Sequence, residues 1–391
     1  MKRKTISLIC LLTALLITVL ASVLAYRNPK VLQYIRAHNA QATVSDYVDN
    51  AVLKTLEQLS AEVEQLHLAA AQLAAAPTEA KLEATAIAWH RAHAAWNNTA
   101  ACQYGPSTQY DFHKRVATWP FEKVLAEELI KKALRGECQL DGRYLREEEF
   151  SGLRGFYALQ YLLYREGRLR ELSDISPTEL VYLSAVSEAL LQDSLDFEAA
   201  WCGTENLTED KRAVLANAGI AARAAYADEL RNPGSEGSRY ASTSISLQEV
   251  FQDIIGVFED LAPQISEYPQ AASSEATAYW DSLDPHADML NQLKSAENAY
   301  LGGVEGSRER SLSQLVAAHE PVLDRLVKIS FAHTTYRIEA LKTAQQKSEA
   351  EYDLAVRIAE AELEKLTARI TLAIPWVILD PAVEPYAAYV Q

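Results

Sequence analysis

Basic residues are in short supply. Lys and Arg number 37 against 53 Asp and Glu, and the net charge is −16. A nucleic-acid partner is excluded on that ground, because a basic footprint on the phosphate backbone is missing. Glycine and proline are sparse as well, at 14 and 13 in 391 residues, which argues against a turn-rich β protein. Only four cysteines occur, at Cys10, Cys102, Cys138 and Cys202, and no two are spaced as CxxC, so a dithiol redox centre or a cysteine zinc site is not expected. There is no HExxH and no recognisable Ser/His/Asp or Cys/His set. Strand-like alternation and repeats of solenoid period are absent too.

What the chain has in quantity is apolar residues at helical spacing. Hydrophobic content is 49% and charged content 23%, enough for a large ordered core. Residues 45–76 place Val48, Val52, Leu56, Leu59, Val63 and Leu66 at steps of three and four. Pro77 then restarts the chain. Leu82, Trp89 and Trp96 follow every seven residues, one stripe for a partner helix. Ser176 to Glu179 reads as a capping box with Pro177 at the first helical position, opening a helix to about Trp201. Ser246 to Glu249 reads as a second capping box. The run Asn232 to Ser238 is the clearest linker. Further helices are expected over about 275–300, 308–330 and 333–372. The expectation is an all-α protein of two helical-bundle halves, residues 45–231 and 245–380.

The N-terminus begins Met1, Lys2, Arg3, Lys4 and continues uncharged from Thr5 to Tyr26. A positive segment before an apolar run is the layout of a secretory signal. Residues 1–25 are therefore read as a signal peptide cleaved after Val23-Leu24-Ala25, or as a membrane anchor. At about 1.5 Å per residue, residues 5–26 are long enough to cross the inner membrane, and the positive inner end leaves the body outside either way. The expected location is the periplasm or cell envelope. In that oxidising compartment Cys102, Cys138 and Cys202 allow one disulfide, with three pairings open.

Two segments are candidates for a site. Residues 103–120 form a long helix-to-helix loop, of a kind that is often functional, although Tyr104, Phe112 and Trp119 also suit simple anchoring. Residues 146–165 predict a buried helix, apolar on nearly all sides from Phe150 to Tyr164. Gly152 and Gly155 lie inside it, where another group must come close. Tyr157 and Gln160, three apart, should share a face and need hydrogen-bond partners.

The segment Gly155 to Leu163 resembles the Gly-x-His-x-x-Glu motif of the imelysin-like family, also called the M75 peptidase family, which includes iron-regulated periplasmic proteins. Trp89 to Trp96, Gly105-Pro106, Trp119-Pro120, Tyr300 to Gly303 and Leu372 to Ile374 follow in the family's order, so the resemblance covers about residues 45–380. It implies an all-α fold of two bundle halves, a role in iron uptake or metal binding, and for some members peptidase activity. The implied metal ligands are the motif's His and Glu. Here Tyr157 and Gln160 stand in their places, and Asn97 follows Trp96 where a Glu is often seen. An amide and a protonated phenol suit a divalent transition metal poorly, and without the metal no water is activated for hydrolysis.

Three other groups are candidate metal donors. His90 and His93, three apart, can face one way and hold a metal ion, or be ordinary helix residues. Tyr157, Tyr161 and Tyr164 could offer phenolates to ferric iron, although such a stripe is commonly core. Glu147 to Glu149 suit a solvated first turn. The resulting expectation is an exported, non-catalytic binding or accessory protein, serving iron acquisition. Its ligand face comprises Tyr157, Gln160, Trp96, Asn97 and Trp119, and its partner is an unknown protein or organic ligand. A metal carrier using His90 and His93, or a metallopeptidase with an altered site, are the alternatives.

Overall fold

The computed structural model describes residues 29–165, 168–271 and 284–378. The expected signal or anchor, residues 1–25, and the proposed membrane-crossing run 5–26 lie outside them. No helix among the described residues is long and apolar enough to cross a membrane.

The protein is all-α, with one two-stranded β ribbon among the described residues. The first stretch is one long rod. Helix α1 (Pro29–Tyr47) passes through a π-helical turn at Val48–Leu53 into α2 (Lys54–Ala75). Helix α3 (Glu79–Asn97) returns antiparallel, capped at Thr78, whose hydroxyl accepts from the Lys81 amide. Its stripe of Leu82, Trp89 and Trp96 is buried as the seven-residue spacing requires. The expected loop 103–120 is not structureless. It holds two short helices, α4 (Pro106–Gln109) and α5 (Phe112–Val116), pinned by buried Tyr104 and Phe112.

Helix α6 (Lys123–Leu134) and the short α7 (Gly142–Leu145) lead to a correction. Residues 146–165 are not one helix. A 3-10 segment, Glu148–Leu153, is followed by a break, and α8 covers only Phe156–Leu163. Gly155 makes the break, with φ of 85°, and a Cβ there would overlap the Val116 carbonyl oxygen. The glycine lets the end of α5 touch the start of α8. After the ribbon, β1 (Tyr164–Arg165) with β2 (Arg168–Leu169), comes α9 (Pro177–Cys202). Its capping box forms as the sequence spells it, with Ser176 accepting from the Glu179 amide and the Glu179 carboxylate accepting in return. Helix α9 is buried on almost every side and packs against α2.

Helices α10 (Glu209–Asn217) and α11 (Tyr226–Arg231) precede α12 (Thr243–Ala271). The second expected capping box lies inside α12. Ser246 is buried and its hydroxyl donates to the Leu230 carbonyl, so the helix begins three residues earlier. The C-terminal part comprises α13 (Pro285–Leu301), α14 (Leu312–Ala317), α15 (Pro321–Gln345) and α16 (Glu349–Ile378). The expected break between 330 and 333 is absent. The chain turns at residues 346–348 instead, because Phe331, Thr334, Ile338 and Leu341 continue the buried face of α15. Helices α12, α13, α15 and α16 pack together, while α3 and the 3-10 turn Ala100–Cys102 meet α12 and α13.

Cys102, Cys138 and Cys202 are free thiols: Cys102 in the 3-10 turn, Cys138 in the connection before α7 and Cys202 at the end of α9. Cys102 is buried beneath α12, and burial pushes its thiol well up.

Candidate functional site

Where α3 meets α12 and α13, the surface opens into a cleft of about 370 Å³. Helical spacing supplies the walls. From α3 come His93, Trp96 and Asn97, from α12 Val257, Asp260 and Gln264, and from α13 Asp288 and Gln292. Each set repeats at three or four residues, so each is one helix face. The 103–120 segment adds Gln103, His113, Ala117 and Trp119, and α8 adds Tyr157.

Four of the five residues expected on the ligand face, Trp96, Asn97, Trp119 and Tyr157, line this cleft together. Gln160 does not line it and is buried inside the bundle, one helical turn from Tyr157. The two histidines also diverge. His93 is in the cleft, with Nδ1 3.3 Å from Asp288 Oδ1, whereas His90 Nε2 lies 2.9 Å from the Tyr164 hydroxyl at the surface. The tyrosine stripe divides similarly. Tyr161 donates to Glu127 at 3.0 Å, Tyr164 meets His90, and Tyr157 alone faces the cleft.

An aromatic ladder runs from the core to the rim. His93 stacks on buried Trp89 at 5.0 Å between centroids with an interplanar angle of 8°. Tyr157 stands 6.3 Å from His93, and Trp119 5.0 Å from Tyr157. Trp89 fixes the base by donating from Nε1 to the Phe156 carbonyl at 3.0 Å, which ties α3 to α8. Trp119 at the top is 37% exposed. Burial, with a smaller contribution from the Asp288 charge, pushes the Tyr157 phenol well above its ordinary value. It therefore remains protonated and can donate a hydrogen bond.

A rail of amides meets the ladder at Asp288. Gln264 donates to Gln292 at 2.9 Å, Gln292 to Asn97 at 3.2 Å, and Asn97 to Asp288 at 2.8 Å. The rail links α12, α13 and α3 and fixes which face each amide presents. At the rim, burial raises the Asp260 carboxyl while His113 pulls it back. His113 itself is lowered by burial, against the pull of Asp260. No Lys or Arg lines the cleft among the described residues.

Behind the cleft lies an anchor that the sequence reading missed. Asp193 and Asp196 of α9 are fully buried and hold four arginines. Arg115 bridges both, Arg223 takes Asp196 in a bidentate pair at 2.8 and 3.0 Å, and Arg146 and Arg154 reach Asp193 at 3.2 and 3.5 Å. Arg115 belongs to α5, so this network clamps the segment carrying His113, Ala117 and Trp119 onto α9. The one available signal was two aspartates at core positions of an otherwise apolar helix.

Among the described residues no three His, Cys, Asp or Glu side chains converge as a metal-ligand group. In the cleft His93 and Asp288 make one pair, and the neighbouring Tyr157 is a poor ligand while it keeps its proton. This donor set does not fit a resident divalent metal.

The chain matches the family model for imelysin, peptidase M75, over residues 52–370. It is 23% identical over 292 residues to iron-regulated protein A of Synechococcus elongatus, covering 74% of this chain and 72% of that protein. A crystal structure of a protein described as an iron-regulated protein A precursor from Parabacteroides distasonis superposes with a TM-score of 0.70 at 20% identity, over 87% of this chain and 95% of that one. An imelysin-like protein from Psychrobacter arcticum superposes with a TM-score of 0.54 at 15% identity, over 89% and 96%.

Proposed function

The chain belongs to the imelysin family, and from that membership we propose that it is an exported, non-catalytic binding protein of the cell envelope that assists iron acquisition. The observation that carries the reading is the pair at the motif. Tyr157 presents a protonated phenol to the cleft, and Gln160 is an amide buried away from it. Neither supplies the anionic or imidazole ligand that would activate water on a metal. What remains is a cleft with an aromatic wall, a fixed row of amides and two carboxylates, a lining suited to holding an organic ligand or a partner's side chains. Export is supported by the Lys2-Arg3-Lys4 start and the apolar run after it. The iron link is supported by the name of the Synechococcus relative.

Two measurements test this reading. The full-length chain, incubated with β-casein and zinc or ferrous iron, is expected to leave the substrate intact. Cleavage abolished by a chelator would overturn the non-catalytic assignment in favour of an altered metallopeptidase. In cells grown with and without iron, the chain is expected in the envelope fraction and in greater amount when iron is scarce. A cytoplasmic chain at constant level would contradict the envelope and iron assignments.

A further inference from the structure

Resting on the cleft being a binding site, we propose that its ligand is a small organic cation, an ammonium or guanidinium group on a compact carbon body. Charge is the first argument. Asp260 and Asp288 both face the cleft, and no Lys or Arg lines it among the described residues. The chain as a whole is acidic, so its field favours approach of a cation. Asp288 is held in place by Asn97 and His93, both of which meet Oδ1. A fixed carboxylate is a preorganised acceptor.

The aromatic wall is the second argument. Trp119 and Tyr157 lie 5.0 Å apart at an interplanar angle of 59° and form an angled corner, and Trp96 adds a further ring to the lining. An aromatic corner beside a carboxylate attracts alkylammonium and guanidinium ions through the ring quadrupoles. A bare divalent metal gains little from such faces and needs several anionic or imidazole donors at short range, and among the described residues no three such donors converge. A neutral sugar would use the rings and the amides, but it would bring no positive charge to Asp260 and Asp288. The volume, about 370 Å³, lies in the range of small-molecule sites.

The test is isothermal titration of the full-length chain with choline, spermidine and agmatine, alongside 3,3-dimethylbutanol as the uncharged counterpart of choline and sucrose as a neutral polyol. At least one cation is expected to saturate at one per chain. Its affinity should fall about tenfold or more in Asp260→Asn and in Trp119→Ala, and should weaken with added salt. Asp260→Asn is the safer variant, since this carboxylate stands at the exposed rim and its loss leaves the amide rail intact. The proposal is overturned if no cation saturates, or if the bound cation keeps its affinity in Asp260→Asn and Asp288→Asn. Saturable sucrose binding lost in Trp119→Ala would overturn the cationic class and leave the binding cleft standing. Stoichiometric zinc or iron binding lost in His93→Ala would overturn both.

Discussion

Gly155 carries much of the site's geometry. Its φ of 85° belongs to the region that favours glycine, and the space for a Cβ is taken by the Val116 carbonyl. Gly155→Ala is expected to lower stability by about 1–3 kcal/mol or more from backbone strain, and to disturb the Trp119–Tyr157 corner. Thermal unfolding measures the first effect; an unchanged melting temperature would show that the segment relaxes freely. Asp253 is a second residue with a measurable consequence for stability. It lies one turn before Val257 on α12, within electrostatic reach of Tyr47, Tyr104 and Cys102, and its Oδ2 has no hydrogen-bond partner among the described residues. Burial, then Glu249 and Asp260, pushes its carboxyl well above the usual carboxylate range. Between about pH 3.9 and that raised value, the native state holds the proton more firmly than the unfolded chain does. This group's contribution to stability therefore falls as pH rises through the window. Asp253→Asn should raise the melting temperature at pH 7 and flatten the pH dependence. A loss of stability at pH 7 would instead indicate an ionised, paired carboxylate.

Among the helices, α9 is the organising element, because it is buried on nearly all sides and clamps the cleft segment through Asp193 and Asp196. Asp196→Ala would leave Arg223 and Arg115 without their shared carboxylate. It is expected to cost about 3–5 kcal/mol, the range for breaking one side of a buried pair. Equilibrium urea unfolding would show it, and a change below about 0.5 kcal/mol would mean the arginines find water instead. Ser176→Ala, which removes the N-cap of the same helix, should cost about 1 kcal/mol. The helices themselves were legible as periodic apolar positions, and the Ser176 cap as a local pattern. The break at Gly155 was not, because a glycine that ends a helix and one that merely weakens it look alike until the Val116 backbone is placed beside it. That Trp96, Asn97, Trp119 and Tyr157 would share one face was legible through the family resemblance, and all four line the cleft. Asp260, Gln264, Asp288 and Gln292 were not, since nothing local marks them. They enter the cleft only because α12 and α13 pack across from α3, more than 150 residues further along the chain.

At the scale of the whole molecule, an acidic helical protein keeps the imelysin fold while the motif presents different chemistry. Two of the family's expected donors are replaced at Tyr157 and Gln160, and His90 and His93 point to separate partners. The cleft has depth, aromatic faces and a fixed row of amides. We propose a cleft that binds its ligand without a resident metal. Its most direct test is titration of the full-length chain, purified without a metal-binding tag, with iron, zinc and copper, followed by metal analysis of the protein. No stoichiometric site tighter than about millimolar, the range of weak carboxylate sites, is expected. One tightly held equivalent of metal per chain, released in His93→Ala, would contradict it.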